Sequence, residues 1–157
     1  ICKAKKKALS GFDLIKILKC YPCFLGIYSS DQLKNLSILS FPSFIVINLA
    51  TSDKLGSHWL AVRFGSVYIE IFDSLGFDPR LWRSFPTGLL KFLSSFAYTH
   101  RFRVSPVIQP LDTHTCGLYT TFFIIYRQSK TFSACCSKFS SKLRLNDKIL
   151  FHFFNKN

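Results

Sequence analysis

Four residues of this 157-residue chain have the types and the order that thiol chemistry requires. Cys116 stands in DTHTCGLY (112–119), and His58 opens the run HWLAV. Asp73 follows fifteen residues after His58, and Gln109 precedes Cys116 by seven. Attack of sulfur on a carbonyl needs a thiolate, a base to hold its proton, a group that orients the base, and donors for the oxyanion. Cys116 is placed to open an apolar helix, where unpaired N–H groups and the macrodipole favour an anionic sulfur. Gly117 beside it would let a substrate carbonyl approach the backbone. His58 starts a strand after the loop KLGS, so its ring can lie at a sheet edge facing a cleft. His114 is a competing base, but it is only two residues from Cys116 and consecutive loop side chains usually diverge. Gln109 lies before a proline in the loop leading to Cys116. Its amide and the N–H of Cys116 would be the two oxyanion donors.

Each residue alone has a plainer explanation. A cysteine commonly packs as a small hydrophobe. A lone histidine is more often structural than catalytic, Asp73 could cap the turn before Gly76, and Gln109 could be an ordinary loop residue. The sharper statement is the joint one: His, Asp, Gln and Cys in that order and at those separations.

Elements that would position these residues are legible in the apolar pattern. Leu9, Phe12, Ile15 and Leu18 recur at a helical period, and CYPC ends that helix because Pro22 disfavours helix at Tyr21. FLGIYSSDQL reads as a turn-rich link. FPSFIVINLA (41–50) reads as a buried strand, and HWLAVRF (58–64) and VYIEIFDS (67–74) read as a hairpin closed at Gly65-Ser66. That hairpin brings the start of one strand beside the end of the next, so His58 and Asp73 become neighbours. Strand parity places Glu70 on the opposite face from Asp73, making Asp73 the better orienter. A helix is expected over 80–97, disturbed at Pro86, then a strand over 100–108. CGLYTTFFIIYRQ (116–128) is long enough to favour a central helix over a strand, and LNDKILFHFF near the end is amphipathic. The order α–β–β–β–α–β–α–α implies an α+β domain with a mostly antiparallel central sheet flanked by helices.

Composition bounds the rest. The length fits one domain (1–157), which buries about two thirds of its unfolded surface. The chain is 48% hydrophobic with eighteen phenylalanines, so a packed aromatic interior is expected and general disorder is excluded. Residues 1–8 form a basic arm expected to be disordered. The net charge of +13 predicts non-specific attraction to nucleic acid, although no nucleic-acid-reading motif accompanies it, and a solvated lysine-rich face explains the charge equally well. The six cysteines are irregularly spaced and the opening residues lack the apolar run expected of a secretory leader, so a reducing, intracellular setting and free thiols are expected. The apolar runs fall far short of the roughly 20 residues that span a bilayer. Cys20 and Cys23 have C-x-x-C spacing but no second pair, so no metal site is expected. The chain contains no methionine, which fits an internal piece or a processed product.

With those residues in view, the stretches GSHWLAVRF, VYIEIFDSLGFDPRLW and QPLDTHTCGLYTTFF resemble the adenovirus maturation protease (adenain) family and its relatives in large DNA transposons and viruses. More distantly they resemble the ubiquitin-like-protein-specific proteases. The family pattern of His-Trp at a strand start, an acidic residue before a Gly-Phe turn, and Gln ahead of Cys-Gly is met by His58-Trp59, Asp73 with SLGF, Gln109 and Cys116-Gly117. CFLGIYSSD (23–31) is similar to the segment before the family's first core strand.

The resemblance implies a papain-like cysteine protease with rearranged chain order. Cys116 would be the nucleophile, His58 the base, Asp73 the orienter, Gln109 an oxyanion donor, and Trp59 a wall of the cleft. It implies a cysteine endopeptidase cutting Gly-containing sites in structural precursor proteins during virion maturation, in the host nucleus or the virion. No cofactor is needed for the chemistry, with DNA and an activating peptide as implied activators. A monomer is expected. The alternatives are an isopeptidase that removes ubiquitin-like modifiers, and a decayed, non-catalytic copy that still binds nucleic acid. The sequence departs from the adenoviral pattern in three ways. No cysteine lies between Lys91 and Ile108 to pair with an activating peptide, the orienter is Asp rather than Glu, and the C-terminal part is shorter, so a truncated C-terminus is expected.

Overall fold

In the computed structural model, which describes residues 8–78, 81, 83 and 85–156, the first element is helix α1 (Gly11–Leu18). Ser10 caps it. The Ser10 hydroxyl accepts from the Asp13 N–H, and the Asp13 carboxylate accepts in return from the Ser10 N–H at 2.9 Å. The helical period read from the sequence is correct, but only part of the stripe is: Leu9 packs against the core. Leu14 and Leu18 face the core, whereas Phe12 and Ile15 are 78% and 46% exposed.

Five strands form one sheet in the order β1 (Phe24–Ser29), β2 (Ser43–Asn48), β3 (Trp59–Phe64), β4 (Tyr68–Phe72), β5 (Arg101–Val104). The segment expected to be a turn-rich link is therefore β1, an edge strand. Gly26 disguises it: at φ +142° it breaks the register with β2, and the strand is only half-buried, so no apolar alternation shows. The central pairings, β2 with β3 and β3 with β4, are antiparallel, and the outer ones, β1 with β2 and β4 with β5, are parallel. The sheet is thus mixed where a mostly antiparallel one was expected. The outer strands arrive by long connections, which parallel pairing requires. β5 is also shorter than the expected 100–108, since Pro106 has no N–H to extend the ladder.

Strand alternation divides the core in two. Phe44, Val46, Ala61 and Phe72 face α1, α3 (Cys116–Tyr126), α4 (Phe132–Ser137) and α5 (Asn146–Lys156). Ile45, Ile47, Leu60, Val62, Ile69 and Ile71 face α2 (Thr87–Ser94) on the other side. α2 starts directly after Pro86, so the proline begins the helix rather than disturbing it. Of the expected 80–97 helix, residues 80, 82 and 84 lie outside the described residues. α3 is buried continuously from Cys116 to Ile124, lying against β3 on one side and α1 and α5 on the other. An apolar residue suits every face of such a helix, so it carries no amphipathic stripe. α4 was not foreseen from the sequence.

Phenylalanines join these layers as expected; Phe72 and Phe123 stack with ring centroids 4.5 Å apart. Glu70 points to the α3 side and is held bidentately by Arg127 at 2.8 and 3.0 Å, which agrees with its exclusion from the Asp73 site. The basic arm at 1–7 lies outside the described residues. Cys20, Cys23, Cys116, Cys135 and Cys136 are free thiols. Among the described residues no helix is long and apolar enough to cross a membrane, and no cluster of three His, Cys, Asp or Glu could hold a metal.

Candidate active site

The β3–β4 pairing, with Ala61 opposite Phe72, carries His58 and Asp73 to one end of the hairpin. There the His58 Nε2 and an Asp73 carboxylate oxygen are 2.7 Å apart. Asp73 is fully buried and its frame is fixed. The Ser105 hydroxyl donates to the Asp73 carbonyl at 2.7 Å and accepts from its N–H at 2.9 Å, and the Leu75 N–H donates to the same carboxylate oxygen that meets His58. Engagement of Nε2 by Asp73 leaves Nδ1 as the nitrogen facing a second partner.

That partner is Cys116, at the N-terminus of α3 and 9% exposed. The two groups alter each other's protonation. Burial disfavours a charged His58 ring, but hydrogen bonds to Asp73 and Cys116 and their negative charges outweigh it, and His58 is pushed up to about 9. Burial likewise raises Cys116. The His58 hydrogen bond, the N–H groups of Trp59 and Gly117 and the positive ring outweigh that, holding the thiol below its ordinary value. The favoured state is a thiolate beside an imidazolium. Two other cysteines go the opposite way: burial foremost pushes Cys135 up to about 12 and Cys136 up to about 11. His114, the competing base, is exposed on the cleft rim.

Gln109 completes the group. It is 2% exposed, lines the same cleft as His58 and Cys116, and its amide is tied at both ends, to the Thr113 carbonyl and to Ser74. Trp59 also lines the cleft, with its indole N–H donating to the Leu9 carbonyl at 3.1 Å. Gly117 follows Cys116 at the start of α3. It is buried, and an added Cβ would stand 3.0 Å from the Leu9 Cβ and 3.5 Å from Trp59. Its missing side chain is what lets α3 pack against the segment leading into α1.

The cleft has a volume of about 630 Å³ and extends from Gln109 and Cys116 past Trp59 to Asn48 and Ile27. Several supporting residues were not found from the sequence. Asn146 donates to the Ile108 carbonyl at 2.8 Å, and Asp147 accepts from Thr115 at 3.1 Å and Tyr119 at 2.9 Å. The start of α5 therefore holds the residues just before Gln109 and just before Cys116. Nothing in residue type or spacing marks these contacts, which cross up to 38 positions of chain.

No protein-family model and no curated protein matches this sequence. Among solved structures the chain is similar to the ASFV pS273R protease. The TM-score is 0.56 and the identity 17%, over 98% of this chain and 68% of that one. It also matches the SUMO protease Ulp1, in a form with the catalytic cysteine oxidised to a sulfinic acid. There the TM-score is 0.49 and the identity 17%, over 98% of this chain and 80% of that one. The α+β fold expected from the motif resemblance, a central sheet flanked by helices with the Cys-bearing helix at its centre, is the fold this chain shares with the first of these proteases.

Proposed function

We propose that the chain is a cysteine endopeptidase acting on Gly-containing sites of polypeptide precursors. The observation that carries this is the grouping of Cys116, His58 and Gln109 on one cleft wall with Asp73 bonded to His58 at 2.7 Å, the thiol lowered and the imidazole raised to about 9. A structural cysteine would resemble Cys135, which burial makes harder to ionise.

The chemistry follows from these positions. The Cys116 thiolate attacks the scissile carbonyl carbon, and the C=O electron pair moves onto oxygen. That oxygen takes hydrogen bonds from the Cys116 N–H and Gln109 Nε2. Imidazolium Nδ1 gives its proton to the departing amine as the C–N bond breaks, leaving a thioester. Neutral His58 then takes a proton from water as the water attacks the thioester. The thiolate departs, the acid product is released, and the thiolate–imidazolium pair is restored. Asp73 holds the ring and stabilises its positive form throughout.

Precursors of viral or virus-like transposon structural proteins are the substrates this proposal names, with nucleic acid as a partner of the basic surface and a peptide as a further activator. The test is cleavage of a Gly-Gly-X peptide. Cys116→Ala and Cys116→Ser abolish turnover and Cys135→Ala does not; full activity in Cys116→Ala refutes the assignment. Conjugates of ubiquitin-like modifiers belong in the same panel, and their preferential turnover would make the chain an isopeptidase.

A further inference from the structure

The Gln109 carboxamide is held in one orientation. Its Nε2 donates to the Thr113 carbonyl oxygen at 2.8 Å, and its Oε1 accepts from the Ser74 hydroxyl at 2.6 Å. A carbonyl can only accept, so the end of the amide at Thr113 must be nitrogen. The other end is then oxygen, and Ser74 must donate to it. Ser74 and Gln109 are each 2% exposed, which leaves no bulk water to replace the hydroxyl. The main chain repeats the tie, for the Ser74 carbonyl accepts from the N–H groups of Ile108 and Gln109, both at 2.9 Å. One hydrogen of Nε2 is spent on Thr113, and the other is left for the cleft.

We propose that Ser74 is a positioning residue for the oxyanion site, fixing the Gln109 amide so that its second Nε2 hydrogen meets the reacting carbonyl oxygen; this rests on the oxyanion role given to Gln109 above. Without the hydroxyl, Oε1 is a buried acceptor with no donor, and the amide turns to find one. A turned amide presents a carbonyl dipole, which opposes an oxyanion. Asp73 and Ser74 are adjacent yet serve different ends of the reaction. Asp73 acts on the base, whereas the Ser74 side chain is committed to the oxyanion donor. The ground-state thiolate does not depend on Gln109, so Ser74 should affect turnover and leave the thiol untouched.

The experiment is a double-mutant cycle on Gly-Gly-X cleavage with Ser74→Ala, Gln109→Ala and the pair. In parallel, the pH dependence of Cys116 alkylation by iodoacetamide is followed. Loss of a whole oxyanion donor lowers kcat by about 10²–10³. Gln109→Ala should lie in that range and Ser74→Ala should lose about tenfold or more, with KM nearly unchanged. In the Gln109→Ala background Ser74→Ala should lose almost nothing further. The alkylation profile of Ser74→Ala should superimpose on that of the parent. Equal losses in both backgrounds, no loss at all, or a displaced alkylation profile would overturn the inference, because Ser74 would then serve the fold or Asp73. If Gln109→Ala itself leaves kcat unchanged, the oxyanion role of Gln109 falls, and the inference about Ser74 falls with it.

Discussion

Replacing Asp73 with Asn keeps the shape of the side chain and removes its charge. His58 stands at about 9 instead of its ordinary 6.5, which corresponds to roughly 3 kcal/mol favouring the imidazolium at about 1.4 kcal/mol per pH unit. The hydrogen bond to Asp73 is the largest of the influences that raise it, ahead of the contribution from Cys116. Asp73→Asn should therefore return the ring toward neutrality, and a less positive ring should in turn let the thiol rise. The interval in which thiolate and imidazolium coexist narrows from both sides. The assay is kcat/KM for a Gly-Gly-X peptide against pH, beside the alkylation rate of Cys116. The parent should lose activity on the alkaline side near pH 9, as the proton needed by the leaving amine is lost. In Asp73→Asn that limb should move below about 8, the acid limb of alkylation should move up, and kcat should fall on the order of 10³-fold. An alkaline limb still near 9 in the variant would refute this account of His58.

The same pair should leave little trace in stability against pH. A raised His58 contributes stability that is complete below 6.5 and lost as pH rises through about 9. A lowered Cys116 contributes stability present above its ordinary value of 9 and lost as pH falls through its folded value. Over the shared window the two slopes have opposite sign, since the proton has only moved from sulfur to nitrogen. Reactivity is therefore the readout that isolates the pair.

Two further perturbations test the surroundings. Gly76→Ala should destabilise the fold by about 2 kcal/mol and lower Tm by roughly 5 °C, because Gly76 sits at φ +69° and an added Cβ would lie 2.6 Å from the Val107 nitrogen; a Tm within a degree of the parent would contradict this. Affinity for a short DNA duplex, expected from the +13 charge, should fall about 10³-fold or more between about 50 and 200 mM salt if six or more phosphates are contacted, and a salt-independent affinity would exclude backbone binding.

Chemistry was more legible in the sequence than support. Cys116, His58 and Asp73 stand at the ends of elements whose lengths and turns the apolar pattern reveals, and Gln109 in the loop before Cys116, so type, order and hairpin geometry together pointed to one place. The hairpin at Gly65-Ser66 and the all-apolar run after Cys116 were read correctly for that reason. β1 escaped because a half-buried edge strand interrupted by Gly26 lacks the alternation that identifies a strand. In α1 the period was clear, but two exposed apolar residues, Phe12 and Ile15, drew part of the stripe to the wrong face. Which strands run parallel depends on how the long connections cross the sheet, and local pattern does not encode that.

Ser74, Ser105, Asn146 and Asp147 belong to a different category. Each acts by a hydrogen bond to a residue 28–38 positions away, and each is of a type found in any loop or helix cap. Their arrangement nevertheless follows a single logic. Three segments must meet to within a few tenths of an ångström: the hairpin end carrying His58 and Asp73, the loop carrying Gln109, and the helix start carrying Cys116. Apolar packing fixes the bodies of these elements but not their polar ends, which lie buried beside the cleft. Short buried polar contacts do that work, each satisfying a group that burial would otherwise leave unpaired. Ser105 ties the loop strand to Asp73, Ser74 ties the turn to Gln109, and the start of α5 ties Ile108 to Thr115. A site assembled this way has its reactive geometry set by polar side chains with no reactive role. Substitution of Ser74 should alter kcat while sparing the thiolate, whereas changes at His58 or Asp73 should alter both.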